Sequence, residues 1–192
     1  MRKIKYNALV PKQSEELTVF SFCAQASDVL KFAQVDRIGR GKDGSLKGFQ
    51  RPQVAAHINE IRTYLAKDEA VLPNSVVVAF TSGVSLSKSN IEGIATVTID
   101  LDDNKKGFVV DGQQRLTALG GLPDKDFEVF VSAIICTNEE ELRKQFILIN
   151  NTRPLPKTLI YELLPSVSGL PHRLSSRTKA AALVERLNYD KE

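Results

Sequence analysis

The sequence is poor in the residues that build several common functional sites. Its 192 residues include no tryptophan, two histidines and two cysteines. His57 and His172 have no cysteine or carboxylate neighbours at ligand spacing, which disfavours a zinc site. Cys23 and Cys136 lie in apolar stretches without CxxC spacing, so we expect two reduced core residues of a cytosolic protein. The patterns GxxxxGK[ST] and GxSxG are also absent, which excludes an ordinary P-loop and leaves α/β-hydrolase chemistry without support.

Long hydrophobic runs are absent as well. No apolar stretch reaches the roughly 18 residues that a membrane helix needs, and no apolar segment follows the basic N-terminus as in a signal peptide. We therefore expect a cytoplasmic protein without a membrane partner. Hydrophobic residues make up 42% and charged residues 26% of the chain, which indicates a folded domain with a core rather than a disordered chain. The composition is compatible with a monomer or an oligomer.

The net charge is only +3, but the basic residues are unevenly distributed. Residues 143–179 contain seven lysines and arginines against one acidic residue, and residues 31–51 contain six against two. Two such stretches on a nearly neutral chain are compatible with a polyanionic partner such as DNA or a nucleotide. The alternative is an ordinary solvated surface whose acidic complement lies elsewhere in the chain.

Hydrophobic patterning predicts a mixture of strands and helices. Apolar runs and alternation predict strands over residues 17–24, 76–80, 94–101, 107–110 and 127–135. Capping residues and helical spacing predict helices over residues 27–35, 51–65, 138–150, 158–164 and 175–187, and one that begins near residue 116. Residues 39–48 and 82–89 are predicted as loops. This order favours an α+β fold with a mixed sheet flanked by helices.

We predict a domain over residues 1–160, followed at residues 161–192 by the start of a helical C-terminal extension. The chain stops directly after a predicted helix, without a glycine or proline stop signal. The natural protein is therefore expected to be longer.

The strongest functional signal is the junction formed by Asp111, Gly112, Gln113, Gln114 and Arg115. A hydrophobic strand ends at a carboxylate, a glycine permits a tight turn, and the free N–H groups of the following helix attract phosphate. The arginine can contact phosphate oxygens with two nitrogens, the two glutamines can orient a water or hydroxyl, and the aspartate can hold a divalent cation or act as a base. The alternative is purely structural, with an aspartate cap, a glycine bend and a surface arginine.

Two further polar clusters have the same ambiguity. Gln50 and Arg51 open one predicted helix, whereas Asn150 and Arg153 lie at the end of another. Either pair could contact a phosphate or a base. The structural alternative for Asn150 is a helix C-cap, because asparagine tolerates the left-handed conformation found there.

The segment VVDGQQRLTAL (residues 109–119) resembles the DGQHR-domain, DndB-like family of the ParB/sulfiredoxin-like superfamily. Further similar features are GFQR at residues 48–51, LPN at 72–74 and FILINNT at 146–152. Gln114 stands where the family usually has histidine, as in the DGQQR proteins of modification-dependent restriction. No cysteine lies in this segment, so sulfiredoxin-type reductase chemistry is not implied.

The resemblance implies a ParB/sulfiredoxin-like mixed sheet and a DNA-binding regulator or accessory protein of a DNA-modification or defence system, such as phosphorothioation. Some relatives hydrolyse ATP. In this hypothesis Arg115 and the helix N-terminus hold a nucleotide phosphate, Asp111 positions Mg²⁺ or a water, and Gln113 and Gln114 orient the attacked group.

Two other hypotheses remain open. One is a non-catalytic DNA-binding module. The other is a DGQQR-type restriction NTPase or nuclease component, for which the sequence shows no acidic cluster of nuclease spacing.

Overall fold

The computed structural model describes residues 2–35, 39–40, 46–47, 55–102 and 107–150. The described residues belong to one compact unit that comprises residues 1–151. The predicted helices over residues 158–164 and 175–187 lie outside the described residues. The domain boundary at residue 160 therefore stays a prediction.

An eight-stranded mixed sheet is the frame of the fold, with strand order β3-β9-β6-β10-β2-β1-β8-β7. The pairs β3/β9 and β6/β10 are parallel and the other pairs of this sheet are antiparallel. The strands are β1 (Lys3–Leu9), β2 (Thr18–Gln25), β3 (Ala33–Gln34), β6 (Val76–Phe80), β7 (Val84–Lys88), β8 (Ile94–Asp100), β9 (Gly107–Asp111) and β10 (Glu128–Ile135). A separate short ladder joins β4 (Gly39–Arg40) to β5 (Leu46–Lys47).

Helices cover both faces of this sheet. Three of them, α1 (Ala26–Phe32), α2 (Ala55–Leu65) and α3 (Gln113–Gly120), contribute to the larger buried cluster, together with the inward side chains of the central strands. The fourth, α4 (Glu139–Asn150), packs against the opposite face through Leu142, Phe146 and Ile149. The predicted α+β class with a mixed sheet flanked by helices is confirmed. With 12 residues, α4 is the longest described helix, and none of the described helices has the length and apolarity for a membrane span.

Most predicted elements are present, but the predicted loop over residues 82–89 is wrong. This segment contains the edge strand β7, in which Val84 and Leu86 pack against the core while Ser85 and Ser87 are exposed. Such short polar and apolar alternation is typical of a half-buried edge strand, and the serines obscured it. The ends of the predicted loop over residues 39–48 likewise pair as β4 and β5.

Two local predictions also need correction. The helix after β2 has Gln25 as its N-cap, without a side-chain cap hydrogen bond, and it ends at Phe32 because Ala33 and Gln34 pair with β9. Of the two cysteines, Cys136 is buried as expected, whereas Cys23 is exposed. Cys23 lies on the face of β2 opposite to the one that Phe20, Phe22 and Ala24 bury in the larger cluster.

Candidate functional site

The strand β9 and the helix α3 meet at a single glycine. Gly112 adopts φ 90° and ψ 10°, the left-handed conformation that side chains other than glycine rarely adopt. A Cβ atom at this position would also lie 3.2 Å from Val76 Cγ2 and 3.2 Å from Arg115 Nη2. Glycine is therefore required both for the turn and for the close approach of the arginine.

The strand that leads into this turn is bulged. Asp111 pairs with Val77 and Val109 pairs with Val78, so Val110 is an extra residue relative to β6. A bulge bends its strand and changes the direction of the side chains that follow. The bulge lies immediately before Asp111 and therefore affects the direction of the Asp111 side chain.

The guanidinium of Arg115 is bound by the protein itself. Nη1 donates to the carbonyl oxygens of Asn74 at 2.7 Å and Ser75 at 3.0 Å, and Nη2 donates to Asp111 Oδ2 at 2.8 Å. Its side chain is 17% exposed. Through these three hydrogen bonds Arg115 connects the start of α3 to the residues before β6 and to the end of β9.

The Asp111 carboxylate is half exposed and forms an ion pair with Arg115. Among residues 2–35, 55–102 and 107–150, no group of three or more histidine, cysteine, aspartate or glutamate side chains could hold a metal ion. A Mg²⁺ ion needs oxygen ligands and usually keeps several waters when it binds with nucleotide phosphates. Asp111 can contribute one such oxygen, so the junction fits a cation that arrives with a phosphate better than a resident metal.

The N-terminus of α3 has no protein cap in the described part of the chain. Gly112 supplies no side-chain cap, the first turn contains no acidic residue, and the first helical hydrogen bond runs from Leu116 N–H to the Gly112 carbonyl. The Oε1 atoms of Gln113 and Gln114 are buried and have no hydrogen-bond partner among the described residues. The positive end of the helix dipole and the N–H groups of the first turn are suited to binding an anion. The two buried Oε1 atoms are acceptors, so they are suited to a donor such as a hydroxyl or a water.

Asn150, the last residue of α4, reaches the same junction. Its Nδ2 donates to the Val110 carbonyl at 3.1 Å and to the Phe146 carbonyl at 2.9 Å. The predicted site residues Asp111, Gly112, Gln113, Gln114, Arg115 and Asn150 are therefore brought together. Gln50, Arg51 and Arg153 lie outside the described residues, so their place in the site stays a prediction.

Sequence reasoning gave no role to Asn74 and Ser75, whose carbonyl groups hold Arg115. Ser75 Oγ accepts from Ser132 Oγ at 3.0 Å, and Ser132 Oγ lies 3.4 Å from Ser21 Oγ, so a short chain of hydroxyls connects β2 and β10 to the residue before β6. The break at residues 73–74 before a strand was visible in the sequence. The role of the Asn74 and Ser75 carbonyls as hydrogen-bond acceptors for Arg115 could not be predicted, because backbone carbonyls carry no sequence signature.

The buried thiol of Cys136, which follows β10, is not poised for nucleophilic chemistry. Burial raises the pKa of the Cys136 thiol to about 11, with a smaller contribution from the nearby Glu141 carboxylate. The thiol is therefore protonated at neutral pH, and a protonated thiol is a poor nucleophile.

Comparison with known proteins agrees with the resemblance seen in residues 109–119. Residues 6–180 match DndB, a family described as DNA-sulfur modification-associated. No curated protein sequence matches the chain. Among solved structures, the chain is similar to the C-terminally truncated chromosome-partitioning protein ParB from Caulobacter crescentus complexed with CTP-gamma-S, at 14% identity and a TM-score of 0.45, over 82% of this chain and 69% of that chain. Because the family match spans most of the 192 residues, the chain belongs to the DndB family of DNA-sulfur modification-associated proteins.

Proposed function

We propose that this protein is a cytoplasmic, DNA-binding regulator or accessory protein of a DNA-sulfur modification system, and that it binds a nucleotide through its phosphates at the N-terminus of α3. The observation that carries the nucleotide proposal is the uncapped first turn of α3, presented by the left-handed Gly112. Membership of the DndB family supports the association with DNA modification.

The proposed roles of the site residues follow from their contacts. The N–H groups of the first turn of α3 bind the phosphate, and the amides of Gln113 and Gln114 contact a hydroxyl, a water or a base of the ligand. Arg115 positions this turn through Asn74 and Ser75. Asp111 would contribute an oxygen to Mg²⁺, which neutralises phosphate charge when it is bound. ATP with Mg²⁺ is the nucleotide that the family resemblance favours, and hydrolysis belongs to the same proposal.

The nucleotide site is tested by a charge placed where the phosphate should bind. Gln113→Glu places a carboxylate in the first turn of α3, where the helix dipole favours it but where Gln113 Oε1 is buried without a donor, so circular dichroism must first show that the variant folds. The variant should weaken ATP binding by about tenfold or more through repulsion of the phosphates. Equilibrium binding of ATP with Mg²⁺ and the rate of ATP turnover are the measurements.

The matched control is Gln13→Glu, which makes the same charge change in the exposed loop between β1 and β2. This variant should bind ATP as the wild type does. Gln114→Glu provides a second variant if Gln113→Glu does not fold. Unchanged ATP affinity in both site variants would place the nucleotide elsewhere or rule it out.

A non-catalytic DNA-binding module is the second candidate, because the contacts of Arg115 remove one support for the nucleotide site. Three hydrogen bonds to protein oxygens engage the side chain that was predicted to grip a phosphate. DNA binding by phosphate contacts weakens steeply with salt, by about 10³-fold or more between 50 and 200 mM salt when six or more phosphates are neutralised. Strongly salt-dependent DNA binding together with no measurable affinity for ATP would select this candidate over the first.

A further inference from the structure

Asn150 connects two elements that the chain separates by 40 residues. Its side-chain amide lies at the end of α4 and donates to the carbonyl of Val110 in β9, the residue that precedes Asp111. The rest of α4 is attached to the sheet by apolar packing of Leu142, Phe146 and Ile149. The amide is thus a directional contact at the end of a helix that is otherwise held by non-directional packing.

The carbonyl that accepts from Asn150 belongs to the bulged residue of β9. Val110 is the extra residue of the bulge, so it lacks a partner residue in β6. It is also 3% exposed, which leaves little access for water. A buried carbonyl without a donor is costly, so the amide of Asn150 stabilises the bulged form of β9 over a regular one.

We infer that Asn150 is a positioning residue for the α3 site, and that it links occupancy of this site to the order of the last turn of α4. The bulge directs Asp111, and Asp111 with Arg115 fixes the turn at Gly112 and the first N–H groups of α3. The inference rests on the proposed nucleotide site for its ligand, whereas the positioning itself does not depend on a ligand.

The link must act in both directions, because coupling between two sites is reciprocal. A nucleotide that binds the ordered turn should also favour the bulge and therefore the last turn of α4. Loosening the last turn of α4 should lower the affinity for the nucleotide by the same factor.

The positioning role is tested first without nucleotide, by amide hydrogen exchange of the full chain. Asn150→Asp keeps the size of the side chain and replaces the donating NH₂ with an acceptor, and Asn150→Ala removes both. Both variants should exchange the amides of residues 110–113 about tenfold faster than the wild type, since a donor to a buried carbonyl is lost.

The matched control is Gln145→Ala, because Gln145 Nε2 donates at 2.8 Å to Glu141 Oε1 within the same helix. It should leave the exchange of residues 110–113 unchanged. Wild-type exchange of these amides in Asn150→Asp would overturn the positioning role, and so would equal acceleration in Gln145→Ala.

The link is tested by adding ATP and Mg²⁺. ATP should slow exchange in residues 147–150 of the wild type and of Gln145→Ala but not of Asn150→Asp, and the affinity of Asn150→Asp for ATP should fall about five- to tenfold. If ATP binds the wild type and exchange in the last turn of α4 does not change, the link is wrong although the nucleotide site stands. If ATP does not bind the wild type, the nucleotide proposal and the link both fail, and the exchange measured without nucleotide still decides the positioning role.

Discussion

At the level of single residues, Gly112 joins backbone geometry to side-chain packing. Its positive φ is a strain for any other residue, and the guanidinium of Arg115 lies where a Cβ would begin to crowd it. A second glycine of positive φ, Gly93 at 77°, has no atom within 4 Å of the place where its Cβ would be. Substitution at Gly93 therefore measures the free-energy cost of the positive φ alone, whereas substitution at Gly112 also includes the cost of the close contact.

We expect Gly93→Ala to lower the free energy of unfolding by about 1 to 2 kcal/mol, the cost of a left-handed conformation for an L-residue. Gly112→Ala should lower it by about a further 1 kcal/mol or more, because Val76 and Arg115 must also move. Urea unfolding of both variants measures the difference. Equal losses would mean that the packing of Arg115 against Gly112 contributes nothing to stability.

The two thiols should differ sharply in reactivity. Cys23 is exposed, whereas Cys136 is buried with its pKa raised to about 11. A thiol reagent at pH 8 should therefore modify one thiol in the folded protein and two in denaturant, as long as the reaction is faster than unfolding. In the Cys23→Ser variant the folded protein should not react, and fast modification of that variant would show that Cys136 is accessible.

The same thiol contributes to the dependence of stability on pH. Burial raises the folded-state pKa of the Cys136 thiol. Its contribution to the free energy of unfolding is therefore complete below the ordinary thiol pKa and is lost as the pH rises towards about 11.

At the level of elements, the sequence predicted those whose pattern is long or strongly apolar. The strands β2, β6, β8, β9 and β10 and the helices α2, α3 and α4 were placed within a few residues of their observed positions. The strand β1 was missed and β7 was taken for a loop, because strands with lysines or serines on one face carry a weak apolar signal. The partners of Arg115 could not be predicted either, since its contacts with Asn74 and Ser75 depend on the antiparallel pairing of β6 with β9.

Asn138, the first residue of the helix predicted over residues 138–150, caps α4. Asn138 Oδ1 accepts from the N–H of Glu141 at 2.9 Å. Asn138→Ala should lower the free energy of unfolding by about 1 kcal/mol, because one N–H group of the first turn loses its partner. Asn90→Ala, in the exposed turn between β7 and β8, is the control and should change stability by less than about 0.5 kcal/mol. Similar small losses in both variants would contradict the role of the cap.

At the level of the whole molecule, β1 joins two parts of the sheet. It lies between β2 and β8, and it pairs with β8 through seven residues, from Lys3 with Asp100 to Leu9 with Ile94. The edge strand β7 is attached to the sheet through β8. Without β1, the β7–β8 hairpin would lose its connection to the other strands of the sheet.

Deletion of residues 1–9 should therefore expose the β7–β8 hairpin to proteolysis, because an isolated two-stranded hairpin is marginally stable in water. Limited proteolysis followed by mass spectrometry should find early cleavage between residues 82 and 100. The double substitution of Lys3 and Lys5 by alanine keeps the backbone ladder and serves as the control, with wild-type resistance expected. A hairpin that stays protected after the deletion would contradict this role of β1.

The extra residue in β9 has a consequence for how this chain compares with its relatives. A relative that lacks one residue between positions corresponding to Phe108 and Asp111 would have a regular ladder there, without a bulged residue. Such a relative would have no use for an amide at the position of Asn150. We therefore expect the one-residue gap and the loss of that asparagine to occur together across aligned sequences, even where the DGQ triplet itself is retained.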